Sequence, residues 1–164
     1  MERPTRKLYH GTLAQNVQAI REQGLLPRKG SWTESFHENA VDLVYAVDED
    51  RRARIVPAIT GQMAKHGLVR WSDDYQFVSF YNDLIAHGAV VVFNAATFCC
   101  YPPNLFKAGH PAGTEPGDCY SHESVGSEAI ERVMIGQEML DWLKPIAHAD
   151  FTYRYREILR RWCP

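Results

Sequence analysis

Ala89-Val90-Val91-Val92-Phe93 is the stretch that leaves this chain least freedom. A continuous apolar run rich in β-branched residues has no polar face to give to water, so as a strand it must be covered on both sides. The run therefore predicts a core strand, and a sheet carrying it needs a layer on each face. Gly88 precedes the run and closes a short helix expected over Asn82 to His87.

The rest of the composition is compatible with such a core. The chain has 164 residues, 45% hydrophobic and 12% aromatic, which suits one folded domain spanning residues 1–164. A net charge of −2 provides no global field to recruit nucleic acid or an anionic membrane, although a local basic patch stays open. Cys99, Cys100, Cys119 and Cys163 form no C-x-x-C pair and no paired spacing with histidine, so no zinc site is expected and the cysteines read as free thiols. No apolar run reaches membrane-span length, and Met1 to Lys7 lacks the apolar core of a secretory signal. The expectation is a cytoplasmic protein, with delivery into a target cell by a dedicated injector left open.

The most informative local pattern is Leu8-Tyr9-His10-Gly11-Thr12 followed by Leu13 to Gly24 and Leu25-Leu26-Pro27. It reads as a strand ending at the histidine, then a helix that begins at once. Thr12 and Gln15 have capping-box spacing, Leu13, Val17 and Ile20 make one apolar stripe, and Gly24 stands where a left-handed cap ends a helix. A ring nitrogen and an unobstructed glycine backbone at a strand-to-helix junction form a ready ligand pocket.

Further along, Arg28 to Ala40 reads as a surface loop, and Asp42 to Val47 as a strand ending at Asp48, a good helix cap. A helix is expected over Glu49 to Ile55, interrupted by Pro57, with a second piece to His66-Gly67. Trp71 to Asp74 reads as a turn into a strand over Tyr75 to Phe80. Tyr101 to Gly126, rich in glycine and proline, reads as one long irregular loop. Ala129 to Ile135 is expected as a strand, Gln137 to Leu143 as a helical turn, Ile146 to Tyr153 as a last strand and Tyr155 to Trp162 as a basic helix.

The opening string, with Ile20 and Gly24-Leu25-Leu26-Pro27, resembles the first strand and helix of the ADP-ribosyltransferase superfold of the His-Tyr-Glu type. The similarity is looser over Asp42 to Ala53 and Gly126 to Leu143. It implies an α+β fold with a split β-sheet core and flanking short helices. It also implies NAD as substrate, with cleavage of the nicotinamide–ribose bond and transfer of one ADP-ribose unit to a macromolecular acceptor, protein or nucleic acid, in the manner of a toxin or defence effector. A cognate antitoxin or immunity protein would then be a further partner.

Breaking that bond builds positive charge on the ribose, so the site needs a clamp on ribose and carboxamide, an aromatic platform and a carboxylate. On the resemblance, His10 clamps the ribose, Gly11 offers its N–H and C=O to the carboxamide, and Thr12 lies beside them. Tyr45, in Leu43-Val44-Tyr45-Ala46-Val47-Asp48, is the platform; the alternative is Tyr75 to Tyr81, where Ser79 and Tyr81 would line the pocket. Ala53 stands where polymerase-like members carry a serine. Glu131 is the preferred carboxylate, with Glu128 the alternative and Glu123 close by. Arg51, Arg52 and Arg54 read as an exposed helix face that could meet a pyrophosphate. Arg156, Arg160 and Arg161 form a basic stripe, read as solvated, with an acidic or RNA partner as the alternative. The competing functions are an RNA 2'-phosphotransferase, which shares the opening motif, and a non-catalytic NAD- or partner-binding module.

Overall fold

The computed structural model describes residues 4–28, 42–49, 52, 55–68, 77–100 and 118–143. The expectations for Lys29 to Ala40, Trp71 to Gln76, Tyr101 to Gly117, the last strand and basic helix, and Arg51, Ala53 and Arg54 lie outside these residues.

Six strands are described: β1 (Arg6–Leu13), β2 (Val44–Val47), β3 (Gly88–Ala95), β4 (Cys99–Cys100), β5 (Asp118–Ser121) and β6 (Ile130–Ile135). They form one sheet in the order β4-β5-β2-β1-β3-β6, with every pairing antiparallel. The described helices are α1 (Val17–Gln23), α2 (Ile55–Lys65), α3 (Phe77–His87) and α4 (Gly136–Leu143), an α+β combination. Among the described residues, no helix is long and apolar enough to cross a membrane.

The apolar run does in the structure what its composition requires. Along β3, side chains alternate between two cores. Val90 and Val92 join Tyr9, Leu13, Val47, Ile55, Ile59, Phe80, Leu84, Met139 and Leu143 beneath α2, α3 and α4. Val91 and Phe93 join Leu8, Leu25, Val44, Ala46, Cys119 and Val125, with Ile20 of α1 packed alongside. Each fully buried side chain of this size contributes about 1.5–3 kcal/mol, so the two layers together fix the sheet's position.

β1 pairs with its two neighbours very differently. Against β3 it runs in unbroken register from Arg6 opposite Ala95 to Leu13 opposite Gly88. Against β2 it makes a single pair, Tyr9 with Val47. β2 continues instead into β5, with Val44 opposite Ser121 through Val47 opposite Asp118.

Several local expectations give way to tertiary packing. β1 continues past His10 to Leu13, and the Thr12–Gln15 capping box does not form: a 3-10 turn over Ala14–Asn16 leads into α1 with no side-chain cap. Gly24 does end α1, at φ +77°, its N–H donating to the Ile20 carbonyl at 2.8 Å. Pro57 does not interrupt a helix; it sits in the first turn of α2, where its missing N–H costs nothing. Phe77 to Phe80 is not a strand but the start of α3, because Phe80 and Leu84, four apart and both fully buried, place one helical face on the core. The expected long loop contains β5 within it. Cys119, buried on β5 opposite Cys100 in the ladder, is disulfide-bonded and not a free thiol, whereas Cys99 is free and exposed.

Candidate functional site

His10 lies where β1 and β2 stop pairing. Its ring Nδ1 is 2.6 Å from the Tyr45 carbonyl oxygen, so a side chain crosses to β2 one residue beyond the only backbone pair. A carbonyl can only accept, which makes Nδ1–H the donor. Burial lowers the His10 pKa below its ordinary value of 6.5, and the bond to Tyr45 offsets this only in part. The ring is therefore neutral near pH 7, and its Nε2 carries a lone pair able to accept from a hydroxyl.

Gly11 has a structural reason of its own. A Cβ there would stand 2.5 Å from Ile55 Cγ2 and 3.1 Å from the Ile55 carbonyl oxygen, so glycine lets α2 lie directly on β1. Thr12 is buried, its hydroxyl 3.1 Å from Asn16 Nδ2 and 3.4 Å from Gln62 Oε1. It is engaged as a tie between β1, the turn after it and α2.

The alternation along the strands sorts the remaining candidates by face. Leu8 shares the α1-side core with Val44 and Ala46, and His10 follows Leu8 in parity. Tyr45 alternates with Ala46, so its ring belongs to the face of Tyr9 and Val47, while its carbonyl meets His10. The histidine and the tyrosine are thus joined through the main chain of one and the ring of the other.

Glu131 is not brought to the imidazole. It sits at the irregularity in β6, where Val92 opposite Arg132 gives way to Phe93 opposite Ile130. Its carboxylate accepts from Lys7 Nζ at 3.0 Å and Asn94 Nδ2 at 3.3 Å. Lys7 follows Tyr9 in parity and Asn94 follows Val92, which places all three on the α2-side face, opposite His10. The Lys7 hydrogen bond, with that of Asn94, holds the Glu131 carboxyl below its ordinary pKa. The glutamate that the strand pattern favours is therefore a surface ion-pair partner.

Glu128, the alternative, occupies a different setting. It lies in the 3-10 turn Ser127–Ala129 before β6. That turn is tied to the end of α1 by a reciprocal backbone pair, Leu25 N to Val125 O at 2.8 Å and Val125 N to Leu25 O at 2.9 Å. Leu25 and Val125 are in the α1-side core, with Ala129 and Ile130 packed against it. The segment carrying Glu128 thus covers the same side of the sheet as His10. Glu123 is exposed, its N–H donating to Ser121 Oγ at 3.0 Å.

Ser79 and Tyr81 are on α3, Ser79 exposed and Tyr81 packed against the α2-side core, away from the His10 face. Arg52 does not belong to an exposed helix face. Its guanidinium lies 5.0 Å from the centre of the Trp142 ring, bonds the Trp142 carbonyl at 3.1 Å and pairs with Glu49. Tyr9 stacks on the same indole at 4.6 Å. No spacing rule links residues ninety positions apart, so sequence patterns carried no signal for this cluster. Arg52 Nε and Asp48 Oδ1 are buried without a hydrogen-bond partner among the described residues.

Compared with protein-family models, curated proteins and solved structures, the chain shows no match.

Proposed function

We propose that the chain is an NAD-dependent mono-ADP-ribosyltransferase that works between β1 and β2, with His10 as the ribose clamp and Glu128 as the carboxylate. The observation that carries this reading is the His10–Tyr45 crossing: the ladder between the two strands ends after one pair, and a half-buried neutral imidazole spans them. Within the one six-stranded sheet, the single-pair junction between β2 and β1 is what supports the split core that the opening motif implies.

The chemistry assigned to these residues is modest and specific. With Nδ1–H held by the Tyr45 carbonyl, the ring is fixed in orientation and Nε2 accepts from a ribose hydroxyl. Nicotinamide leaves as a neutral base, and an anionic Glu128 offsets the positive charge that develops on the ribose. Tyr45 serves through its carbonyl, which orients His10; its ring lies on the other face of the sheet and is not assigned as the nicotinamide platform. The acceptor is a protein side chain or a nucleic-acid group.

The test is nicotinamide release from NAD by wild type beside Glu128→Gln, His10→Ala and Glu131→Gln. Loss of a positioned charged or acid–base group costs about 10²- to 10⁴-fold, so Glu128→Gln is expected to fall by that factor while Glu131→Gln keeps wild-type turnover. Binding of NAD without turnover by wild type would replace catalysis with a binding module. Release of phosphate from 2'-phosphorylated RNA in the presence of NAD would replace it with the phosphotransferase. Labelled NAD incubated with lysate, then digested with protease or nuclease, identifies the acceptor class.

A further inference from the structure

The turn that carries Glu128 contains a glycine whose backbone does not require one. Gly126 has φ −62° and ψ 153°, an extended conformation open to any residue. What it lacks is room. A Cβ built on Gly126 would collide with Oε1, Oε2 and Cδ of Glu128, closer than real Cβ atoms approach anything. The carboxylate of Glu128 therefore folds back over the bare Cα of Gly126 and fills the volume a side chain would take.

The surrounding backbone holds this arrangement in place. Ala129 N–H donates to the Gly126 carbonyl at 3.1 Å, closing the turn. One residue earlier Val125 is bonded both ways to Leu25, and Gly24 leaves space for the Val125 carbonyl, which would strike any Cβ at that position. The turn is pinned at both ends, so an added methyl at position 126 cannot be relieved by sliding the main chain. The side chain of Glu128 must yield.

We infer that Gly126 is a positioning residue for the Glu128 carboxylate: it acts by leaving empty the space in which that group sits. The inference rests on the proposed reading of Glu128 as the carboxylate beside the ribose. It makes Gly126→Ala a defect in turnover, with little effect on NAD binding or on the fold.

The experiment is a double-mutant cycle on nicotinamide release, with wild type, Gly126→Ala, Glu128→Gln and the double variant, each checked by thermal melting. Gly126→Ala is expected to lower kcat about tenfold or more with KM for NAD unchanged, since the displaced group acts on the transition state. Added to Glu128→Gln, it is expected to cost nothing further, because the group it displaces has already lost its charge. Gly126→Ser carries the same Cβ and is expected to give the same split, which covers poor folding of either single variant. Wild-type kcat in Gly126→Ala beside an inactive Glu128→Gln would overturn the inference and leave the reading of Glu128 intact. Additive losses in the double variant would likewise reduce Gly126 to a structural glycine. Full activity in Glu128→Gln would overturn both.

Discussion

The two edges of β1 follow opposite rules. On one side it meets β3 over its whole length, every residue in register and apolar side chains buried on both faces. On the other it meets β2 at one pair, and a histidine ring replaces the next rung. Backbone ladders plus buried apolar surface make a seam that resists opening. The seam with β2 has one backbone pair and one imidazole crossing, and what else holds it is apolar packing, Leu8 with Val44 and Ala46 on one face and Tyr9 with Val47 on the other. The same strand thus anchors the fold along one edge and carries the proposed site along the other.

Substitutions should show this contrast as a difference in size. The largest loss is expected on the β3 side. Phe93→Ala empties a fully buried site between Leu8, Val91 and the Phe98 ring, and such truncations cost about 3–5 kcal/mol. Chemical denaturation would measure it. A midpoint equal to wild type would mean that β3 is not the core strand described.

Gly11→Ala comes next. Its methyl would press on Ile55 Cγ2 and on the Ile55 backbone, and overpacking of this kind costs about 1–3 kcal/mol. The outcome separates two roles for the glycine. If denaturation shows the loss in the absence of NAD, the residue is needed to seat α2; if stability is unchanged and only NAD binding falls, it is kept for ligand approach.

What the sequence made legible divides along the same line. The β3 run, the β6 strand and Gly24 at the end of α1 follow from period and composition alone, because burial on two faces or a left-handed cap leaves few alternatives. The Phe77 to Phe80 stretch misled because a short aromatic run suits either period, and only its continuation to Leu84 and the core above the sheet select the helix. β5 lies inside a glycine- and proline-rich stretch, and four residues are too few to carry a period of their own. At the proposed site, the motif singles out His10, which the structure sets on β1 beside β2. The face that Glu131 takes has no such signal: it depends on strand parity after an irregularity in β6, a tertiary feature with no local signature.

His10→Ala probes the weak edge directly. It removes one hydrogen bond to the Tyr45 carbonyl, worth about 1 kcal/mol net. The pH dependence is the sharper reading. Burial lowers the His10 pKa in the folded state, so the unfolded chain binds the proton more readily. Above an unfolded pKa of about 6.5 both states are neutral and no penalty applies. As pH falls through that value, wild type loses stability by at most about 1.4 kcal/mol per pH unit, levelling off below the folded pKa. The alanine variant lacks this component. The gap between the two proteins is therefore expected to narrow with acid when melting is followed from pH 7 to pH 5. A constant gap would mean that the imidazole is not buried across the seam.

The smallest effect belongs to Glu131→Gln. Its carboxylate and the Lys7 ammonium are both largely exposed at 3.0 Å, an ion pair that solvent and salt screen. Asn94 can still donate to the amide oxygen that replaces the carboxylate, so neither a buried charge nor an orphaned donor is left behind. The melting midpoint is expected to match wild type, and NAD turnover with it. Because Glu131 and Glu128 are three residues apart on one segment, their two glutamine variants share any general effect on it. A difference in turnover between them reports which carboxylate the chemistry uses. Loss of turnover in Glu131→Gln at unchanged stability would place the chemistry on the α2 side and reverse the comparison of the two edges.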